Sequence, residues 1–200
     1  DVMMYDQKGD SMIYASRISA KVSLLPLLNQ KISIASAQLF GLKANLYQQT
    51  PQSKHNFQFV LDSLASKDTT KHTPLDLHIG SLIIRHGAVK YDKRYIVSKS
   101  GVFSPAHISI SDLSTHIIAN HITDDAINLH IKKLAFRDKS GLQLNSLSFK
   151  LDANKREASL KEFELQLPHS DITLGDIHAT YKFDNGKLVM PTLQYSGSIE

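Results

Sequence analysis

The segment that decides the fold lies between Ile127 and Leu151. It contains Ile127-Asn128-Leu129-His130-Ile131-Lys132, then Lys139-Ser140-Gly141, then Leu147-Ser148-Phe149-Lys150-Leu151. In the first part Ile127, Leu129 and Ile131 alternate with Asn128, His130 and Lys132. Successive side chains of a strand point to opposite faces, so such a segment is apolar on one face and polar on the other. Leu147, Phe149 and Leu151 repeat the pattern beyond Lys139-Ser140-Gly141. Glycine tolerates positive φ, which marks that tripeptide as a hairpin-type turn.

The alternation extends in both directions. Ile18, Ala20, Val22 and Leu24 oppose Arg17, Ser19, Lys21 and Ser23. Ile32 and Ile34 restart it, and Leu42, Ala44 and Leu46 carry it past Gly41, where a bulge is expected. Leu75, Leu77 and Ile79 follow, then Ile108 and Ile110 against Ser109 and Ser111. Leu165 with Leu167, the run Ile177-Ala179-Tyr181-Phe183, and Leu188 with Met190 complete roughly ten strands. Lys8-Gly9-Asp10, Asp184-Asn185-Gly186 and His86-Gly87 read as further turns. Pro105 and Pro168 bound segments, as proline does where a ladder donor is missing. Helical spacing is confined to a Leu cluster around Pro26 (residues 23–29) and to residues 56–65. In the second, Phe57, Val60, Leu61 and Leu64 line up behind Asn56 as N-cap, after a brief strand. The polar residues 66–73 form the best sub-boundary in what otherwise reads as one section, 1–200.

Parallel α/β strands are apolar on both faces and need crossover helices, so the one-faced pattern excludes that class. The expectation is an all-β fold: an elongated, curved antiparallel sheet with one or two short helices. Its apolar face either packs on a second sheet, as in a structural or adhesion-type sandwich with a dry core, or lines an open groove. An aromatic content of 8% and the absence of Trp favour the groove.

Composition bounds the function. The 42% hydrophobic and 21% charged content belongs to folded protein. No apolar run approaches the roughly 20 residues of a membrane-spanning helix. Zero Cys excludes a disulfide scaffold, a thiolate metal site and a cysteine nucleophile. A net charge of +4 is mild. Lys132-Lys133, Lys155-Arg156 and Lys93-Arg94 are dispersed rather than gathered into a nucleic-acid stripe, and Tyr91, Lys93, Arg94 and Tyr95 read as a solvated hairpin tip. The chain opens at Asp1 without initiator Met or signal peptide and closes directly after an alternating run, which reads as a section of a longer protein.

Ten His invite a metal reading, with His116 and His121, His107 and His130, and His78 and His86 as pairs. There is no HExxH, and His78 and His130 fall on the polar parity, so no metal is expected. No Gly-x-Ser-x-Gly elbow or P-loop is present. Asp124-Asp125 sits where Asp favours a turn, and His169, Ser170 and Asp171 are too close in sequence for a triad built from separate elements. The expectation is a protein without catalytic residues or cofactor.

Several strings occur in a familiar order: Asp6-Gln7-Lys8-Gly9-Asp10 with Met12-Ile13-Tyr14-Ala15, Ser23-Leu24-Leu25-Pro26-Leu27-Leu28, and Lys31-Ile32-Ser33-Ile34. Leu39-Phe40-Gly41-Leu42-Lys43-Ala44-Asn45-Leu46-Tyr47, Asn56-Phe57-Gln58-Phe59, Phe136-Arg137-Asp138-Lys139-Ser140-Gly141-Leu142 and Leu167-Pro168-His169-Ser170-Asp171 follow. In this order they resemble the AsmA-like family, in particular its large TamB-type translocation and assembly module members. The resemblance covers most of the chain. It implies a β-sheet curled into a taco-like groove with an apolar interior, within a long periplasmic protein anchored in the inner membrane. It also implies a part in outer-membrane biogenesis as a bridge-like conduit for phospholipid, and for some members an outer-membrane β-barrel partner reached through regions outside this chain. Groove-lining positions would be Ile18, Val22, Ile108, Ile110, Ile127, Leu129, Ile131, Phe149 and Leu165.

Overall fold

A computed structural model describes residues 1–23, 32–64, 76–99, 101–123, 125–184 and 187–196. Thirteen strands and one short helix account for its regular elements. The strands are β1 (Val2–Tyr5), β2 (Ser11–Ala15), β3 (Arg17–Ser23), β4 (Ile32–Phe40), β5 (Lys43–Gln48), β6 (Asp76–Lys93), β7 (His107–Thr123), β8 (Ala126–Asp138), β9 (Gln143–Asn154), β10 (Glu157–Leu167), β11 (Ser170–Leu174), β12 (Asp176–Asp184) and β13 (Lys187–Ser196). The helix α1 is Gln58–Leu64.

All thirteen strands belong to one open, curved, taco-like sheet, in the order β1-β2-β5-β6-β7-β8-β9-β10-β12-β13. β3 and β4 continue the lines of β2 and β5, and β11 pairs the far end of β10. The fold is all-β, as the alternation requires, but the expected purely antiparallel ladder is corrected at one place. β4 and β5 both run parallel to β6. Parallel neighbours need a crossover of a dozen or more residues, usually helical. The connection from Gln48 to Asp76 contains α1 and is long enough to return the chain to the end from which β4 started.

The strands are also longer than the alternation suggested. β6 and β7 are 18 and 17 residues, and β6 runs straight through His86-Gly87, which reads as a turn. His86-Gly87 is not a turn. It is a bulge inside β6, with His86 at φ 53 and the register shifting on both sides of Gly87. Asp112 in β7 and Glu162 in β10 hold the same left-handed conformation at further register shifts. Gly41, at φ 61, separates β4 from β5 where a bulge was expected. Its N–H donates to the Arg85 carbonyl, and a Cβ there would lie 2.7 Å from Ser16 Oγ.

The turns at Lys8-Gly9-Asp10 and Lys139-Ser140-Gly141 form as expected and prove to be one device used twice. In each, an Asp starts the turn and a glycine at positive φ closes it, Asp6 with Gly9 and Asp138 with Gly141. Asp6 N–H donates to the Asp10 carbonyl and Asp138 N–H to the Leu142 carbonyl, both at 2.8 Å. β12 and β13 pair from Asp184↔Lys187 outward, although Asn185 and Gly186 lie outside the described residues. So do residues 24–31, which hold most of the helical expectation around Pro26, and the whole sub-boundary at 66–73. α1 forms where residues 56–65 showed helical spacing, but Asn56 does not cap it. Its side chain accepts from Tyr47 N–H and donates to the Asn45 carbonyl, tying the segment to β5.

Little of the molecule is deeply buried. The accessible surface is 13415 Å². A compact monomer of 22.3 kDa would expose about 9,400 Å². The excess is what a single layer produces, since among the described residues no second layer covers most of one face. Among the described residues no second sheet lies against the first, so the sandwich alternative has no partner layer and no dry core here.

Candidate functional site: one apolar sheet face

Residues paired across neighbouring strands share a face, so the registers define the two faces directly. From Ile110 the pairing leads to Val89 on β6 and from there to Ala44 on β5. Along β7 the same face carries Leu113, Ile117 and Ile122, and from Ile117 it crosses to Ile131 on β8 and Phe149 on β9. Leu129 pairs with Leu151, which pairs with Leu160, which pairs with Ile177. At the other margin Leu77 and Ile79 pair with Ile32 and Ile34, and Ile34 with Val22.

All nine positions singled out from the sequence therefore fall on one face. Ile18 and Val22 lie on β3, Ile108 and Ile110 on β7, Ile127, Leu129 and Ile131 on β8, Phe149 on β9 and Leu165 on β10. The strands spread them across the sheet rather than gathering them at a point. Phe149 and Phe163 stack side by side with centroids 6.4 Å apart. Ile18, Val22 and Ile127 are exposed, and the other six are half-buried by lateral neighbours. Thr115 lies on the same face, and its hydroxyl donates to the Lys133 carbonyl at 2.9 Å, so this buried polar group is satisfied.

Sequence reading missed several members of the face: Leu82, Ile84, Leu113, Leu134, Leu160 and Phe163. Each lies past a bulge, where one extra residue reverses the parity. The signal was present as apolar pairs three residues apart: Ile79 and Leu82, Ile110 and Leu113, Ile131 and Leu134, Leu160 and Phe163. A spacing of three inside an alternating segment breaks period two unless a bulge restores the face.

The opposite face is polar and internally bonded. Asn120 donates to Asn128 at 2.7 Å and Asn128 to Asp152 at 2.6 Å. The Asn120 carbonyl and His78 Nδ1 are 2.6 Å apart, Ser81 meets His116 at 3.1 Å, and Lys150 meets Glu162 at 2.5 Å. His78 and His130 lie on this face as their parity predicts, though both are half-buried. Burial, with Lys150 and Lys132 close by, pushes the His130 imidazole below its ordinary pKa, so it is neutral at pH 7. Two shallow depressions of about 290 Å³ each lie here, both bordered by Ser159 and Lys161.

The other candidate constellations do not assemble. His107 pairs with Asp92 at 2.7 Å, and His116 with Ser81. No group of three or more His, Asp or Glu side chains arranged to hold a metal occurs among the described residues. Asp125 reaches Lys155, while Asp124 lies outside the described residues. His169, Ser170 and Asp171 are all exposed, and Ser170 and Asp171 enter the β10–β11 ladder opposite Leu167 and Gln166. Fold and face together define a class: an open single-layer β-sheet with one continuous aliphatic surface. Comparison of the chain with protein-family models, with curated proteins and with solved structures finds no match.

Proposed function

We propose that this chain is a section of a bridge-like lipid-transfer protein whose apolar sheet face shields phospholipid acyl chains, with no catalytic step. The observation that carries the reading is the aliphatic face across strands β6 to β12, over which no second sheet lies among the described residues. Each buried CH₂ contributes about 0.8 kcal/mol, so an acyl chain along this face is held firmly against release to water. Movement along the face meets little resistance, because successive positions offer the same Ile and Leu chemistry. The resemblance of the ordered strings to AsmA-like and TamB-type proteins supports placing the parent in the periplasm, anchored in the inner membrane and serving outer-membrane biogenesis. An outer-membrane barrel partner would be engaged through regions outside this chain.

The test compares adjacent residues on opposite faces. Ile110→Asp puts a carboxylate on the aliphatic face, where its desolvation beside acyl chains is costly. Ser111→Asp puts the same group on the polar face. Lipid extracted from purified protein and measured by mass spectrometry should fall several-fold for Ile110→Asp and stay at the wild-type level for Ser111→Asp, with both variants folded by circular dichroism. The reading fails if folded Ile110→Asp retains its lipid, or if Ile110→Asp abolishes folding as a dry core would require.

A further inference from the structure

The connection between β6 and β7 is unlike the other turns at its end of the sheet. Residues 93–106 contain Lys93, Arg94 and Lys99 and no Asp or Glu. They also present Val97 at 88%, Val102 at 60% and Phe103 at 47% exposure, with Tyr95 and Ile96 exposed beside them. Soluble surfaces seldom cluster large apolar side chains in this way without a partner.

The base of the loop is fixed. Lys93 N–H donates to the Ala106 carbonyl at 2.8 Å, and Arg94 N–H to the Gln48 carbonyl at 3.0 Å. The Arg94 guanidinium lies 3.7 Å from the centroid of the Tyr47 ring and donates to Gln49, and Tyr95 O–H donates to Gln48. The apolar tip therefore projects from an anchored stem. The turns beside it add Lys8 and Lys139; of their acids, Asp6 and Asp138 are buried and spent on turn hydrogen bonds, while Asp10 is exposed two residues from Lys8. Asp92, at the loop's base, is engaged by His107.

We infer that the 94–106 loop docks this end of the sheet onto an anionic lipid bilayer, with Val97, Val102 and Phe103 entering the interface and Lys93, Lys99, Lys8 and Lys139 facing the headgroups. Apolar and aromatic side chains flanked by basic ones suit that boundary, where the acyl region accepts the first and anionic headgroups attract the second. A protein partner would fit the apolar tip, but the excess of cations around it (Lys93, Arg94, Lys99, Lys8 and Lys139, against the exposed Asp10 of the first turn) favours a surface of uniform negative charge. The inference does not depend on the groove carrying lipid.

The experiment is flotation of the full chain with vesicles of phosphatidylcholine, with and without phosphatidylglycerol. Binding should require phosphatidylglycerol and weaken with salt, because exposed charges are screened. The triple substitution Val97→Asp, Val102→Asp, Phe103→Asp should reduce bound protein several-fold, and Lys93→Ser with Lys99→Ser should weaken the salt dependence, leaving the part due to Lys8 and Lys139. Ile110→Asp, on the groove face, should float like wild type, which separates docking from acyl-chain binding. Absence of binding to anionic vesicles, or binding that survives the tip substitutions in folded protein, overturns the inference.

Discussion

At one margin of the sheet Met12, Ala15 and Tyr47 are closed in, at 1%, 0% and 3% exposure. In the middle Leu129, Ile131 and Phe149 are shielded only from the sides. The margin is covered on both faces. The turn at residues 6–10 folds over one side, where Tyr47 O–H donates to Asp6 at 2.8 Å and Arg94 caps the ring. On the other, His55 stacks on Tyr91 and lies 3.0 Å from its hydroxyl, bringing the segment before α1 against the sheet. Each closure depends on a polar anchor at a defined position. In strands β7–β10 the buried polar groups on the apolar side, Thr115 and Asp138, bond to the neighbouring strand and to the turn at the strand's own end. The other polar residues of these strands spend their hydrogen bonds on one another across the opposite face. The same period-two pattern thus yields a packed corner where loops return over the sheet and an open surface where they do not.

Deleting core volume should separate the two regions most strongly. Met12→Ala removes the largest fully buried side chain and should cost about 3 kcal/mol in urea unfolding, through lost transfer energy and the cavity left behind. Leu129→Ala, on the half-covered face, should cost less, about 1–2 kcal/mol, since part of its surface already meets water and no closed cavity is left. Equal losses would mean that the middle of the sheet is covered after all, and the contrast would collapse.

Acid should act mainly through the closed turns. Burial alone would raise the pKa of Asp6, but hydrogen bonds from Tyr47, from the backbone of Asp10 and Lys8, and from Asn56 outweigh it and hold the carboxyl below its usual value. Asp138 follows the same logic through Ser140, Ser109 and Lys139. A carboxyl whose folded pKa is depressed contributes stability above its unfolded pKa, and that contribution is lost as pH falls through the folded value. Stability should therefore decline below about pH 4, near the ordinary carboxylate range. Tyr47→Phe removes one donor to the ionised Asp6 and should cost about 2 kcal/mol at pH 7. The gap between wild type and Tyr47→Phe should shrink at low pH, where Asp6 is protonated. A gap independent of pH would show that the hydroxyl matters for packing and not for the charge.

How much of this was legible follows from the same contrast. The one-faced strands, the glycine turns and the nine apolar positions could be read because period two and turn chemistry are local. The parallel pairing of β4 and β5 with β6 could not, because strand direction is set by a long connection whose path the alternation does not encode. The corner was equally hidden. Tyr47 and Asp6 are 41 positions apart, and nothing near either residue announces the other. The bulge at Gly87 reads as a boundary, since it carries a turn's signature and only its partner Leu113 shows that the ladder continues.

The smallest expected effect tests whether those bulges are built in. Asp112 holds φ 52 at the register shift opposite Gly87, and its carboxylate lies 3.7 Å from Arg137 with both side chains well exposed. A left-handed residue with a Cβ costs roughly 1–2 kcal/mol relative to the right-handed form, less for Asp, and glycine escapes that penalty. Asp112→Gly therefore removes strain, but it also removes an exposed ion pair worth about 0–1 kcal/mol and adds freedom to the unfolded chain. These contributions nearly cancel, so its unfolding free energy should stay within about 0.5 kcal/mol of wild type. Asp112→Val keeps the Cβ, adds β-branching where it is least tolerated, and should cost about 1–2 kcal/mol. If both variants were equally neutral, position 112 would be free to adopt ordinary strand geometry. Leu113 would then lose its place beside Gly87, and the aliphatic face would break at β7, because without the extra residue Ile110 and Leu113 cannot share a side.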